Sequence, residues 1–178
     1  MAYTIINPMA GMLPIANFDS GVTQPNASSA TPTPPLYPGM VVTAQDPTFG
    51  MGEFILLAGV ASTTVGSLVT YNDNTFLTTL VPVTANLGQP VAVAMSANIV
   101  ATTWGWYQIG GVAVVAKSTS FKFAPRVALG IISTGKVGSV TSGKQILGAR
   151  TANAATVVSA TTTVRVILDR PHAQGRVT

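Results

Sequence analysis

A chain of 178 residues with no cysteine, one histidine and five carboxylate side chains offers no disulfide framework, no thiolate nucleophile and almost no material for a titratable catalytic cluster or a metal site. Only 8% of its residues are charged and 47% are hydrophobic, against roughly a quarter charged in an ordinary soluble domain, so much of the surface is expected to lie against copies of the chain or a larger assembly. The charge is uneven: residues 1–116 hold Asp19, Asp46, Glu53 and Asp73 and no Lys or Arg, whereas 117–178 hold all nine basic residues against Asp169 alone.

This asymmetry permits complementary contacts between neighbouring subunits, or a basic face laid on an acidic partner. The basic residues are dispersed singly and are not interleaved with aromatics, which speaks against a nucleic-acid footprint. No stretch approaches the roughly 18 to 20 apolar residues of a spanning helix, and the ten-residue alternation of an outer-membrane barrel is missing. No Lys or Arg precedes the weak apolar stretch at the N-terminus, so no signal peptide is expected.

Residues 1–37 read as an extended arm. Pro8, Pro14, Pro25, Pro32, Pro34 and Pro35 exclude a helix, and Gln24–Thr33 is polar. The bland reading is a disordered leader. Met1–Phe18 is too apolar for a free tail, however, and Ile5, Ile6, Met9, Met12, Leu13 and Phe18 are the candidate contacts to a partner subunit.

Residues 38–178 read as a β body of short, β-branched runs separated by Gly, Asn, Asp or Pro. Pro38–Ala44 is the first strand and Asp46–Gly52 a loop. Phe54–Val60 is nearly continuously apolar, as in a strand covered on both faces. Its first residues would recruit other chains if exposed, so it has to be central or covered. Ser67–Tyr71 and Phe76–Val81 form a hairpin around Asn72-Asp73-Asn74, whose side chains bond their own backbone. Val91–Val100 fits helical and β spacing alike; a strand running into a loop at Ser96–Asn98 is preferred.

Trp104–Ile109 follows, and Gly110-Gly111 is expected to turn the chain tightly into Val112–Val115. Phe121 and Phe123 alternate with Lys122 as on a half-buried edge. Val127–Ile132 is a strand and Ser133–Gly143 a loop with room for a short strand at Val137–Val140; the segments Gln145–Thr151, Ala152–Ala155 and Thr156–Ala160 follow without an assigned element. Thr161–Leu168 alternates, and the chain is expected to leave the sheet through Arg170-Pro171. The fold class is therefore all-β: a small closed or nearly closed β-barrel with Greek-key or meander connections, preceded by the N-terminal arm.

Three constellations carry candidate chemistry. His172, the one histidine, lacks acidic company and reads as a surface or interface hydrogen-bonding group. Gly130–Gly143 with Lys136 and Lys144 departs from the phosphate-loop order, because Gln145 follows Gly143-Lys144. Trp104, Trp106 and Tyr107 could form a stacking platform for sugars or bases. Strand alternation instead puts the two tryptophans on one face and Tyr107 on the other, which favours packing.

Asp46-Pro-Thr-Phe-Gly-Met-Gly-Glu-Phe-Ile-Leu-Leu-Ala-Gly-Val-Ala-Ser, Gly-Ser-Leu-Val-Thr-Tyr at 66–71, Pro-Val-Ala-Val-Ala-Met-Ser at 90–96, Gly-Trp-Tyr-Gln-Ile-Gly-Gly at 105–111 and Arg-Pro-His-Ala-Gln-Gly at 170–175 resemble small structural head proteins of tailed bacteriophages. More loosely, the chain is similar to capsid decoration (cement) proteins. The resemblance implies a virion protein on the capsid exterior, trimeric or clustered, bridging major capsid subunits, with neither a cofactor nor catalytic residues.

On that expectation Lys117, Lys122, Arg126, Arg165 and Arg170 meet an acidic capsid or neighbour surface, and Trp104 and Trp106 pack at the body or trimer seam. The rival expectations are another virion component (minor capsid, head-fibre or tail protein) and a carbohydrate- or receptor-binding module.

Overall fold

The computed structural model describes residues 3–8, 15, 37–101 and 103–176. Among them there is no helix: eleven strands join in one antiparallel sheet. These are β1 (Thr4–Ile5), β2 (Val41–Asp46), β3 (Gly50–Ala58), β4 (Leu68–Tyr71), β5 (Thr78–Leu80), β6 (Val91–Ala94), β7 (Trp104–Ala116), β8 (Ala128–Ser133), β9 (Lys136–Gly138), β10 (Gln145–Thr151) and β11 (Thr163–Ala173). The main path runs β1-β2-β3-β7-β11-β10-β8-β9, with β6 joining β7 to β4, and β4 pairing β5.

The 13-residue strand β7 is the hub. One edge carries β3 from Gly52↔Gly111 to Ala58↔Trp104. The other edge carries first β6, at Ala94↔Tyr107 and Val93↔Gln108, and then β11, from Asp169↔Gly110 to Thr163↔Ala116. This corrects the expectation of a tight hairpin at Gly110-Gly111. Glu53 opposes Gly110 and Phe54 opposes Gln108, which leaves Ile109 as the extra residue of a β-bulge. Gly111 sits at φ +83°, and a Cβ there would lie 2.2 Å from the Met51 carbonyl oxygen. Glycine therefore allows the strand to kink between two neighbours rather than reverse.

The exit at Arg170-Pro171 is corrected in the same way. β11 continues to Ala173, and its register with β10 jumps from Ala149↔Leu168 to Leu147↔His172. Pro171 donates nothing to a ladder, and a bulge is one of the few places where a sheet accepts it. β3 starts earlier than expected because Asp46 closes the preceding turn: its Oδ1 accepts from the backbone N–H of Thr48 at 2.7 Å and of Phe49 at 3.0 Å. Phe121 and Phe123 lie outside any strand; an isolated bridge pairs buried Phe123 with Val157. Asn72 turns the β4–β5 hairpin as its sequence implies, accepting from the N–H of Asn74 and Thr75.

Three apolar clusters form. One lies within the curl of β4, β6, β7, β8, β9, β10 and β11 and includes Leu68, Val93, Val115, Phe123, Ile131 and Val166. The other two lie on opposite faces of β3 and the first half of β7. Tyr3, Ile15, Val42, Phe54, Leu56, Met95, Trp104 and Trp106 pack on one face; Ile55, Leu57, Val69, Ala92, Tyr107 and Ile109 pack on the other. Leu56, Leu57 and Ala58 are fully buried, as expected of a strand covered on both sides. Truncating Leu56 to Ala would cost about 2–5 kcal/mol.

The ladder is not closed. Backbone hydrogen bonds nevertheless link its distant parts, among them Leu68 N–H to Gly135 O at 2.9 Å, Gly135 N–H to Val81 O at 3.0 Å and Ser118 N–H to Val137 O at 3.0 Å. A single parallel bridge, Lys117↔Val137, joins the end of β7 to β9.

Candidate functional site

The first described residues belong to the sheet. Thr4 and Ile5 pair with Gln45 and Ala44 along the edge of β2, and Ile6 N–H bonds Thr43 O at 3.2 Å. Tyr3 enters the body beside them and is 4% exposed. Its ring meets Phe54 edge-on, centroids 4.8 Å apart at 64°, and Gly52 leaves room for it, since a Cβ there would fall 3.1 Å from the ring.

The Tyr3 hydroxyl donates to Val112 O at 2.7 Å. The fully buried Gln108 donates through Nε2 to Gly110 O at 2.9 Å and Val112 O at 3.0 Å, and lies 3.4 Å from the Tyr3 oxygen. A bulge takes carbonyls out of the ladder, and buried carbonyls need donors; Tyr3 and Gln108 supply them. Burial pushes the Tyr3 phenol above its ordinary range, Gln108 opposes that shift, and Asp46 adds to it.

Of the candidate arm contacts, Ile5 is half-buried against the same cluster and Ile6 is 42% exposed. Met9, Met12, Leu13 and Phe18 lie outside the described residues. Among the described residues of this segment, Tyr3 and Ile15 are buried. A two-residue strand is too short to show a period, but a lone amide beside Gly-Gly in an apolar strand was the available signal for Gln108.

The aromatic cluster divides as alternation implies. Trp104 and Trp106 are buried on the face that Tyr3 and Ile15 cover. Tyr107 is buried on the other face, donating to Ala58 O at 3.2 Å with the Asn98 side chain 3.3 Å away. Burial pushes its phenol up to about 12, against smaller lowering by hydrogen bonds to Asn98 and Thr78.

The five basic candidates do not form one patch. Lys117 is 1% exposed and its Nζ donates to Ser118 O and Ser159 O, both at 3.1 Å. That removes it from any contact surface, and burial lowers its pKa. Lys122 and Arg126 are exposed on the loop between β7 and β8. Arg170 pairs through Nε with Glu53 Oε2 at 3.2 Å, an exposed pair worth no more than about 1 kcal/mol. Arg165 lies 5.2 Å over the Phe49 ring.

Register places Arg165 opposite Val114, Ile167 opposite Val112, and Arg150 opposite Ile167. The outward face of β7, β11 and β10 therefore mixes half-exposed valines and an exposed isoleucine with two arginines. Arg150 and Phe49 were not among the sequence candidates. A shallow open concavity of about 590 Å³ indents this face at Gly148, lined also by Asp169. Among the described residues no group of three or more His, Cys, Asp or Glu could hold a metal ion. His172 is exposed.

The class that this geometry defines is an all-β chain organised as one antiparallel sheet. Comparison with protein-family models, with curated proteins and with solved structures finds no match to this chain.

Proposed function

We propose that this chain is a non-catalytic structural component of a bacteriophage head: a decoration protein that binds the outer surface of the capsid and stabilises contacts between major capsid subunits. In this reading it acts as a homo-oligomer, with a trimer favoured, and the body works as a nearly closed barrel. The Gly135 hydrogen bonds and the Lys117–Val137 bridge support that closure.

The observation that carries the reading is the outward face of β7, β11 and β10, where Val112, Val114 and Ile167 lie among Arg150 and Arg165. Apolar patches rimmed by charge mark surfaces that other chains cover. Many copies, each burying modest area, would hold a shell firmly through multivalency. The resemblance of the sequence to phage head proteins supplies the partner.

The test is cosedimentation of the purified chain with emptied heads lacking it, followed by electron cryomicroscopy. Saturable binding on the exterior is expected, and the double variant Arg150→Glu/Arg165→Glu should weaken it at least tenfold. Absence of binding, or binding indifferent to that reversal, would sink the proposal.

A further inference from the structure

We infer that the Tyr3 socket is an exchange site between copies of this chain, filled in the assembled protein by the N-terminal strand of a neighbour. This deepens the assembly reading above by naming which surfaces of the chain meet each other.

The socket is a built receptor. It has an edge strand, β2, whose backbone takes Thr4–Ile6 in register. It also has a pocket, bounded by Phe54 and Gly52, that encloses an aromatic ring. At its floor the Val112 carbonyl takes the ring's hydroxyl at 2.7 Å, with the Gln108 amide beside it. Such a socket recognises a Tyr-x-Ile strand through backbone pairing and one side-chain pocket, the general scheme of strand addition. An edge strand that is not covered recruits other chains, and β2 runs on past Thr43, whose carbonyl Ile6 takes, to Val41 with its side chain exposed.

Nothing in the socket distinguishes its own chain's strand from that of another copy, because its backbone pairing and its hydroxyl contact are made by Tyr3–Ile6 and its remaining apolar cover by Ile15. The choice lies with the connection. Segment 16–36 separates Ile15 from the body at Tyr37, and fully extended it would span about 70 Å. That exceeds the dimension of a domain of this size, roughly 2.2·N^0.38 Å in radius of gyration or about 16 Å. The same contacts made between copies cost only the entropy of association, and exchange of an identical element is a low-cost route to oligomers. Tyr3 and Ile15 cover Trp104 and Trp106, so in the exchanged form a neighbour completes each copy's core.

The chain has no cysteine, so single thiols can be placed freely. Thr4 and Gln45 oppose each other, are both exposed, and lie within disulfide reach as facing strand residues. Full-length Thr4→Cys and Gln45→Cys variants would be co-refolded from denaturant at equal concentration, oxidised, and read by intact mass after denaturation. Exchange gives the mixed Thr4→Cys–Gln45→Cys covalent dimer as the main product, and adding Tyr3→Ala to the first variant should cut its yield at least fivefold.

The double variant Thr4→Cys/Gln45→Cys closing only on itself as a monomer, with no mixed dimer from the singles, would overturn the proposal. So would a mixed dimer insensitive to Tyr3→Ala, which marks random collision, or the absence of any crosslink. No capsid is present in this assay. Its failure therefore leaves capsid binding standing, and a failure of capsid binding leaves the exchange standing.

Discussion

Replacing Tyr3 tests the attachment of the N-terminal strand one group at a time. Tyr3→Phe keeps the ring against Phe54 and removes the hydroxyl that donates to Val112 O at 2.7 Å. The carbonyl retains the Gln108 Nε2 donor at 3.0 Å, so no buried acceptor is orphaned. The cost is one net hydrogen bond, about 1 kcal/mol. Tyr3→Ala removes the ring as well, and aromatic truncations in packed sites cost about 3–5 kcal/mol.

The reporter is hydrogen exchange at the Ile6 amide, bonded to Thr43 O, with Val166 in the cluster enclosed by β11 as the reference. About 1 kcal/mol corresponds to a fivefold loss of protection at Ile6 in Tyr3→Phe, and Tyr3→Ala should abolish protection there, while Val166 holds in both. Unchanged protection of Ile6 in Tyr3→Ala would refute the claim that Tyr3 anchors the strand. Equal losses at Ile6 and Val166 would show that no separate strand-release step exists.

Three further outcomes are expected. Tyr107, with its phenol raised to about 12, stays protonated in the folded chain after the unfolded phenol ionises near 10. Its contribution is fully present below pH 10 and lost between about 10 and 12, roughly 3 kcal/mol in all, and urea titrations of Tyr107→Phe should show a flatter decline over that interval. Lys117 has the opposite sign: its lowered pKa means the unfolded chain holds the proton longer, so wild type should gain on Lys117→Met in denaturation midpoint as pH rises toward about 10. Gly111→Ala, forcing a Cβ onto the Met51 carbonyl at positive φ, should lower stability by several kcal/mol or prevent folding; a melting temperature within about 2 °C of wild type would contradict the bulge.

The elements that could be read from sequence were those whose cause is local. β4 and the Asn72 turn follow from a β-branched run bounded by turn-forming residues, and the double coverage of β3 follows from its unbroken apolar stretch. Gly110-Gly111 was misread because a glycine pair serves a hairpin and a bulge equally well. The decision lies with β3 and β11, which hold both edges of β7 at the glycine pair from 57 to 59 residues away on either side.

Lys117 was misread for a different reason. Its charge was given more weight than its parity, although Ala113, Val115 and Lys117 alternate on one side and the first two face the core. The outward face was half legible: Arg165 was named, but Arg150 joins it only through the β10–β11 register. The importance of Tyr3 depends on a hydroxyl meeting a carbonyl 109 positions away, which no local pattern encodes.

β7 has one further consequence. At about 3.3 Å per residue its 13 residues extend some 40 Å, and its two halves serve different interiors. Its two main ladders overlap only near the bulge, since β3 holds Trp104–Gly111 and β11 holds Gly110–Ala116, so a load drawn along the strand would pass from one interior to the other through that kink.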